Sequence, residues 1–274
     1  MQLRLALAAT LLAVPVQAAV TLDAQTREIS FDSLRTVTQL FCITPQSCSV
    51  LSQTNTPDSG SQSAPGFAPF DASLSSSIFP SVAVSQESTI TTGRMKASAS
   101  AAAAGAASLG STGGFPPTFI ETVDSHETRS LYRVAFTLDE PTGYALDGSI
   151  GGGEAGFIGD LDLHIELRHA GGAVVHRIEL ADSDDCLDPS CANLGPLSLD
   201  EQGTLAPGSY VLEAELVGQT GALVTFQVQA ANTQLATFDV DLQLGTAVPI
   251  PPFVAPLAGL ALAAVARRRL APAR

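Results

Sequence analysis

Acidic side chains form the densest group of residues that could do chemistry. The segment GDLDL places Asp160 and Asp162 two residues apart, and ADSDDCLDPSC adds Asp184 and Asp185 in a loop. Residues two apart share one face of a strand, and Ca²⁺ takes about six to eight oxygen ligands. We therefore treat these four aspartates as candidate Ca²⁺ ligands. The alternative is a solvated acidic loop, which the lack of an EF-hand spacing favours.

Patterns typical of catalysis are missing from the sequence. There is no G-x-S-x-G elbow, and GGGEAG at residues 151–156 matches G-x-G-x-x-G without a following βαβ unit, which predicts a flexible hairpin loop. His164, His169 and His176 fall on two predicted strands, where we expect solvated surface positions rather than a metal site. We predict that the protein is not an enzyme.

The four cysteines form two closely spaced pairs, CITPQSC with Cys42 and Cys48 and CLDPSC with Cys186 and Cys191. Four cysteines permit three pairings. Because each pair flanks a proline-containing loop, we predict two local disulfides. A zinc site is the alternative, but the two-residue spacing of zinc knuckles is missing. Disulfides indicate an oxidising, extracytoplasmic compartment.

Alternation of apolar and polar residues dominates the chain from residue 130 onward. Such alternation predicts strands with one buried and one wet face, as in antiparallel sheets. The inward positions are predicted to be Tyr132, Val134, Phe136 and Leu138; Leu161, Leu163, Ile165 and Leu167; Tyr210, Leu212, Ala214 and Leu216; Val224, Phe226 and Val228; and Phe238, Val240, Leu242 and Leu244. We predict an all-β fold, an antiparallel, jelly-roll-like β-sandwich over residues 86–245.

The earlier part of the chain has weaker patterns. For residues 19–85 we predict an N-terminal extension with loops and short strands, since Ser, Pro and Gly are frequent there. Alanine favours a short helix at residues 99–107. The alternation of Ser and Ala after Thr and Ile instead predicts a long, exposed strand, which we favour.

Aromatic residues argue against sugar stacking. The chain has no Trp, and Tyr132, Tyr144 and Tyr210 fall on the inward parity of their strands. Modules that stack on sugars need exposed rings. Recognition of a polysaccharide by hydrogen bonds remains open.

Both ends of the sequence have the composition of targeting segments. Residues 1–18 contain Arg4, an apolar run and small residues before Ala18, which predicts a helical signal peptide. Within residues 246–274, the uncharged run at 253–266 precedes three arginines, which predicts a transmembrane helix with its basic end in the cytoplasm.

The second of these segments resembles a known sorting signal. VPIPP, an apolar span and RRR are similar to the PEP-CTERM group, and more closely to its VPLPA-type variant; the matching residues are Val248, Pro249, Pro251, Arg267, Arg268 and Arg269. The resemblance implies cleavage by an exosortase, a membrane-embedded, transpeptidase-like enzyme of Gram-negative bacteria. The alternative is a permanent single-span anchor.

A looser resemblance concerns the body of the chain. DLDLHIEL followed by GTLAPGSYVLEAEL is similar to the pre-peptidase C-terminal type of extracellular β-sandwich. This resemblance implies a sandwich and no defined activity.

Charge restricts the class of partner. The chain has 13 Lys and Arg and 27 Asp and Glu; five of the basic residues and none of the acids lie in the two end segments, so the part between carries 8 basic and 27 acidic residues, a formal charge of −19. Such a chain repels nucleic acid. We expect an exported structural or interaction protein, transiently anchored to the membrane and then at the cell surface or in the extracellular matrix. The alternative is a Ca²⁺- or polysaccharide-binding module.

Overall fold

The structure is a computed structural model that describes residues 19–44, 47–113, 118–155, 159–181, 194–221, 223–224, 229–230 and 232–245. Within these ranges every secondary-structure element is a strand, so the all-β prediction is confirmed. The same ranges contain no helix with the length and apolar content needed to cross a membrane. The predicted signal peptide and the tail at 246–274 lie outside the described residues.

Fifteen strands follow one another along the described parts of the chain. They are β1 (Val20–Thr44), β2 (Ser47–Ser63), β3 (Phe70–Ser75), β4 (Ala83–Thr91), β5 (Arg94–Gly105), β6 (Ala107–Ser111), β7 (Thr118–Leu138), β8 (Thr142–Ala155), β9 (Gly159–His169), β10 (Val174–Ala181), β11 (Leu194–Leu205), β12 (Gly208–Thr220), β13 (Leu223–Val224), β14 (Gln229–Ala230) and β15 (Asn232–Leu244).

The main strands form two antiparallel sheets that pack face to face as a β-sandwich. Sheet A has the order β10-β9-β12-β7-β1-β2, and β6 pairs with β7 beyond the end of β12. Sheet B has the order β11-β8-β15-β5-β4-β3, and the short strands β13 and β14 pair with each other. Because the chain crosses between the sheets repeatedly, each sheet combines strands from distant parts of the sequence.

The apolar core lies between the sheets and includes inward residues that the alternation predicted. The inward residues of β7, β9, β12 and β15 are all buried, including Tyr132, Leu163, Leu212 and Val240. At about 25 cal/mol per Å² of apolar surface, burying one such side chain stabilises the fold by about 1.5–3 kcal/mol. The inward positions predicted at 224, 226 and 228 lie where no side chain is described.

Two local predictions were wrong. Residues 99–105 do form a strand, but β5 is not exposed: it lies between β15 and β4, and Ala97, Ala99, Ala101 and Ala103 face sheet A. Residues 151–155 continue β8 instead of forming a loop. A Cβ on Gly152 would lie 2.5 Å from Leu161 Cδ2, so a glycine lets the strand pass this core leucine.

The N-terminal segment differs from the predicted loops and short strands. β1 has 25 residues and lies inside sheet A, where it pairs with β7 on one side and with β2 on the other. β3 and part of β4 also come from residues 19–85 and lie in sheet B. Long-range pairing with β7 stabilises a strand whose own sequence alternates only weakly, with Ile29 and Phe31 buried among polar neighbours.

Candidate functional site

The predicted acidic site is described in part. Asp160 and Asp162 are both exposed on β9, on the opposite face from the buried Leu161 and Leu163. The Gln234 side chain donates a hydrogen bond to the carbonyl oxygen of Asp160 at 2.8 Å, which fixes the start of β9. Asp184 and Asp185 lie outside the described residues, so the structure brings together two of the four candidate ligands.

A cluster of ionised side chains covers the outer face of sheet A next to Asp162. We call it the charged face; its members are Arg129 and Arg133 on β7, His164, Glu166 and Arg168 on β9, Arg177 and Glu179 on β10, and Glu213 and Glu215 on β12. Four of the eight basic residues between the end segments lie here. Cross-strand pairing within the cluster neutralises its charge in an otherwise acidic chain.

Glu213 lies at the centre of the charged face. Its carboxylate oxygens lie 3.3 Å from His164 Nε2, 3.1 Å from Arg168 Nη2 and 3.3 Å from Arg133 Nε. The hydrogen bond from His164, reinforced by the two guanidinium groups, lowers the pKa of Glu213 to about 2. In turn, the hydrogen bond to Glu213 raises the pKa of His164. The pair therefore favours an imidazolium beside a carboxylate.

The charged face also contains three groups that could ligate a metal. His164, Glu213 and Glu215 each offer one ligand atom, and these atoms lie within 4.8 Å of one another. Zinc accepts imidazole and carboxylate ligands. However, Glu213 already accepts a hydrogen bond from Arg168 and forms an ion pair with Arg133, and Glu215 forms a 2.7 Å ion pair with Arg129. Arginines thus take the place of a cation at these carboxylates, and the arrangement is an ion-pair network.

The three histidines are half-buried and each has a side-chain partner. His164 binds Glu213 as described above, and the His169 ring lies 4.4 Å from the Tyr210 ring. His176 points between the sheets, where its Nε2 lies 2.5 Å from Tyr144 Oη and its Nδ1 lies 4.0 Å from Glu201. His164 lies on the outer face of β9 as predicted, and strand pairing brings a polar or aromatic side chain to each of the three rings. The Tyr144–His176 contact links β8 in sheet B to the edge strand β10 in sheet A.

A second polar cluster, which we call the inner cluster, lies inside the sandwich and was not found by the sequence analysis. Asp124, His126, Thr128 and Ser130 on β7 are buried although they are polar. They continue the inward parity of Tyr132 toward the start of the strand. This parity is the signal that could have found them, because it does not depend on the residues being apolar.

The inner cluster has the residue types of a hydrolase, but not the contacts. Ser33, His126 and Thr220 lie in register across β1, β7 and β12. His126 Nε2 contacts the Ala104 carbonyl oxygen at 3.2 Å, and both carboxylate oxygens of Asp124 accept hydrogen bonds from Arg35 at 2.8 Å. Among the described residues, neither Ser33 Oγ nor His126 Nδ1 has a hydrogen-bond partner. A serine nucleophile needs a histidine that binds both the hydroxyl and the carboxylate.

Arg27 is a buried cation on β1. Its guanidinium donates to Gln25 Oε1 at 2.8 Å, to Ser88 Oγ at 3.2 Å and to the carbonyl oxygens of Gly66 and Ala68. Burial lowers the pKa of Arg27, since desolvation disfavours the charged form. These contacts attach the connection between β2 and β3 to the interior, so Arg27 is structural.

One surface depression is large enough for a small ligand. It has a volume of about 410 Å³ and is lined by residues of β1, β2, β7 and β12 that include Asp32, Leu34, Pro57, Glu127 and Gln219. Among the described residues that line it there is no Phe, Tyr or Trp. A sugar bound there would be recognised by hydrogen bonds alone, in agreement with the distribution of the tyrosines.

Comparisons with known proteins give no family for the chain. No protein-family model and no curated protein matches it. Among solved structures it is similar to the VP2 subviral particle of infectious bursal disease virus, with 7% identity, coverage of 85% of this chain and 77% of that chain, and a TM-score of 0.20. The Gx strain structure of the same virus has 8% identity, coverage of 85% and 63%, and a TM-score of 0.19. TM-scores this low carry no argument about this protein.

Proposed function

We propose that this protein is an exported structural or interaction protein without catalytic activity. The Cys42–Cys48 disulfide is the observation that supports export most directly. The two cysteines are directly opposite each other near the end of the β1–β2 hairpin. Disulfides persist in oxidising compartments and are rare in the cytosol. A stable bridge at this position therefore favours an extracytoplasmic location.

In this proposal the two end segments direct the export and the membrane anchoring of the protein. A helical signal peptide at residues 1–18 directs export, and a transmembrane helix within residues 246–274 holds the protein until an exosortase-like enzyme processes it. The domain between them is jelly-roll-like and remains at the cell surface or in the matrix. The lack of enzymatic activity is supported by the inner cluster, whose Asp124 binds Arg35 rather than His126.

Intact-mass analysis of the protein recovered from its native host tests this proposal. The expected product begins at Ala19 and lacks residues 253–274. A matched variant, Arg267→Ser/Arg268→Ser/Arg269→Ser, should lose membrane retention, because no charge then halts the apolar segment. A product with the complete C-terminal segment would overturn processing, and retention in the cytoplasm with reduced cysteines would overturn export.

Binding of Ca²⁺ or of an exopolysaccharide is the second candidate function. Asp160 and Asp162 support it because they are exposed on one face of β9, where two carboxylates can reach the same cation. Binding by the sandwich would then be the role of the exported protein. The melting experiment described in the Discussion tests this candidate.

A further inference from the structure

The β1–β2 hairpin projects beyond the sandwich as a single layer of sheet. We call this part the arm; it comprises residues 36–44 of β1 and 47–57 of β2, with residues 118–123 of β7 and the strand β6 alongside. The first nine residues of β2, 47–55, are all exposed. A strand covered by a second sheet alternates between buried and exposed, so this run shows that neither face of β2 is covered there by the described residues.

The outer edge of β2 has no strand partner within the described ranges, since sheet A ends at this strand. Within the described residues, the other edges of the two main sheets are protected. β3 and β6 have only six and five residues, β10 has Arg177 and Glu179, and β11 has Asp200 and Glu201 and an irregularity in its pairing. Short length, charge and bulges are the devices that prevent strand addition. Over residues 49–56, β2 is neither short nor charged, and it has one register shift, at which Leu51 is the extra residue.

The distribution of charge favours a second copy of this chain as the partner of the β2 edge. No residue of the arm in 36–44 or 47–57 is charged, whereas the chain between its end segments carries a formal charge of −19. Two copies of so acidic a chain repel each other over most of their surfaces. The electrostatic repulsion between them is smallest where their uncharged arms approach each other. Val50 and Leu51 are exposed there and would lose water on pairing.

We infer that two copies of this protein associate by antiparallel pairing of their β2 edges over residues 49–56. The contact is two-fold symmetric, so each copy uses the same β2 edge and the assembly closes as a dimer. Pro57 limits the paired segment, because proline has no backbone N–H to donate. The inference rests on the proposed interaction role, but its tests use association in solution and are independent of export and processing.

Sedimentation of the full chain in the form in which the host exports it tests the dimer. We expect reversible dimerisation, with the dimer as the largest species. Higher NaCl should strengthen it, because salt screens the repulsion between the acidic bodies. A wild-type protein that remains monomeric at about 200 μM, well above the dissociation constant of a specific weak dimer, would overturn the inference. So would open-ended polymers, or weakening of the dimer by salt.

Two matched variants distinguish an effect of charge at the β2 edge from an effect of the net charge of the protein. Gln53→Lys/Thr54→Lys places two cations on the β2 edge, and Val174→Lys/Leu197→Lys places two on the edges β10 and β11, with the same change in net charge. We expect the first to raise the dissociation constant at least about tenfold and the second to leave it equal or lower. Equal effects of both would show that the contact lies elsewhere.

Hydrogen exchange in the unmodified protein gives an answer that does not depend on any variant folding. Over residues 52–56, where the pairing with β1 is regular, alternate N–H groups point away from β1. We expect these amides to gain protection as protein concentration rises, while the edge amides of β10 do not change. Protection that does not depend on concentration, or that appears at β10 or β11 instead, would contradict pairing through β2.

Discussion

Arg35 on β1 and Asp124 on β7 lie directly opposite each other, and two guanidinium nitrogens each lie 2.8 Å from a carboxylate oxygen. Asp124 is buried, whereas Arg35 is partly exposed and lies over the Phe79 ring at 5.0 Å. Phe79 in turn contacts the His126 ring edge-on at 4.9 Å. The ion pair therefore closes the polar end of the sandwich, where β5 ends.

The asymmetry of this pair leads to a stability prediction. Arg35→Met leaves the Asp124 carboxylate buried without its partner and should lower the free energy of unfolding by about 3 kcal/mol. Asp124→Asn leaves an arginine that can reach water and should cost less, about 1–2 kcal/mol. Urea unfolding measures both. Arg129→Met, at the more exposed pair with Glu215, is the control and should cost less than about 1 kcal/mol. Equal losses for Arg35→Met and the control would contradict the prediction.

His126 and His164 should have opposite effects on the pH dependence of stability. Desolvation lowers the pKa of His126, although the carboxylate of Asp124 partly opposes this. The neutral form of His126 is favoured in the folded state. Its contribution to stability is therefore present above the ordinary histidine pKa of about 6.5 and is lost as the pH falls through the lower pKa of the folded state.

The hydrogen bond to Glu213 raises the pKa of His164, and the charges of Glu215 and Asp162 raise it further. Its contribution is present below about pH 6.5 and is lost as the pH rises through the folded pKa.

Urea unfolding at about pH 5 and about pH 8 separates the two histidines. His126→Gln should cost more stability at the higher pH, and His164→Gln should cost more at the lower pH. Glu213, with its pKa of about 2, stays ionised at both values and does not confuse the comparison. Costs that do not change with pH would show that neither histidine is coupled to folding through its proton.

Arg27 should be irreplaceable by either a neutral or a shorter basic residue. Arg27→Met leaves the carbonyl oxygens of Gly66 and Ala68 without their donor, and Arg27→Lys cannot reach all the acceptors with one ammonium group. We expect each variant to lose about 3 kcal/mol of stability and to be cleaved faster within residues 64–69. Arg177→Met, at an exposed ion pair, is the control for limited proteolysis. Unchanged cleavage in the Arg27 variants would contradict this role.

The Cys42–Cys48 bridge should contribute modestly to stability because it closes a short loop. In the chain-entropy model such a loop gives about 2 kcal/mol, and Cys42→Ser/Cys48→Ser should lose about that amount. Non-reducing peptide mapping checks the pairing. It also tests Cys186–Cys191, a predicted bridge outside the described residues. A peptide that links residue 42 or 48 to residue 186 or 191 would overturn both pairings.

Ca²⁺ should stabilise the fold if Asp160 and Asp162 take part in a cation site with Asp184 and Asp185. A ligand that binds only the folded state at a hundredfold excess over its dissociation constant adds about 2.7 kcal/mol. Millimolar Ca²⁺ should therefore raise the melting temperature more than NaCl of equal ionic strength. Asp162→Ala should abolish the difference, and the control Asp200→Ala, on an exposed position of β11, should not. Identical responses to both salts would indicate general screening only.

Much of the sandwich was predictable, and so was one disulfide. Alternation identified the inward residues of β7, β9, β12 and β15, because a half-buried strand must place apolar side chains on one face. The close spacing of Cys42 and Cys48 predicted their bridge, since a hairpin brings such residues together. Predictions failed where one residue type dominates: alanines concealed the buried face of β5, and glycines in residues 151–155 resembled a loop.

The inner polar cluster shows why the candidate site was harder to predict. Asp124 and His126 are polar, so a search for apolar alternation stopped at Ser130, although the strand and its parity continue. Their burial depends on Phe79 and on the end of β5, which are distant in the sequence. Polar residues are buried only where partners satisfy them, and local sequence does not identify those partners.

The amino-acid sequence by itself determined that this is an acidic, strand-forming chain, and it determined which side chains of each strong strand are buried. These properties follow from composition and a two-residue period, which are local. Only the tertiary structure decided that β1 lies between β7 and β2, that Arg35 meets Asp124 across 89 residues of sequence, and that β2 remains as an open edge. Period-two alternation selects a face but not a neighbour. Neighbours are selected by the packing and hydrogen bonding of the whole sheet.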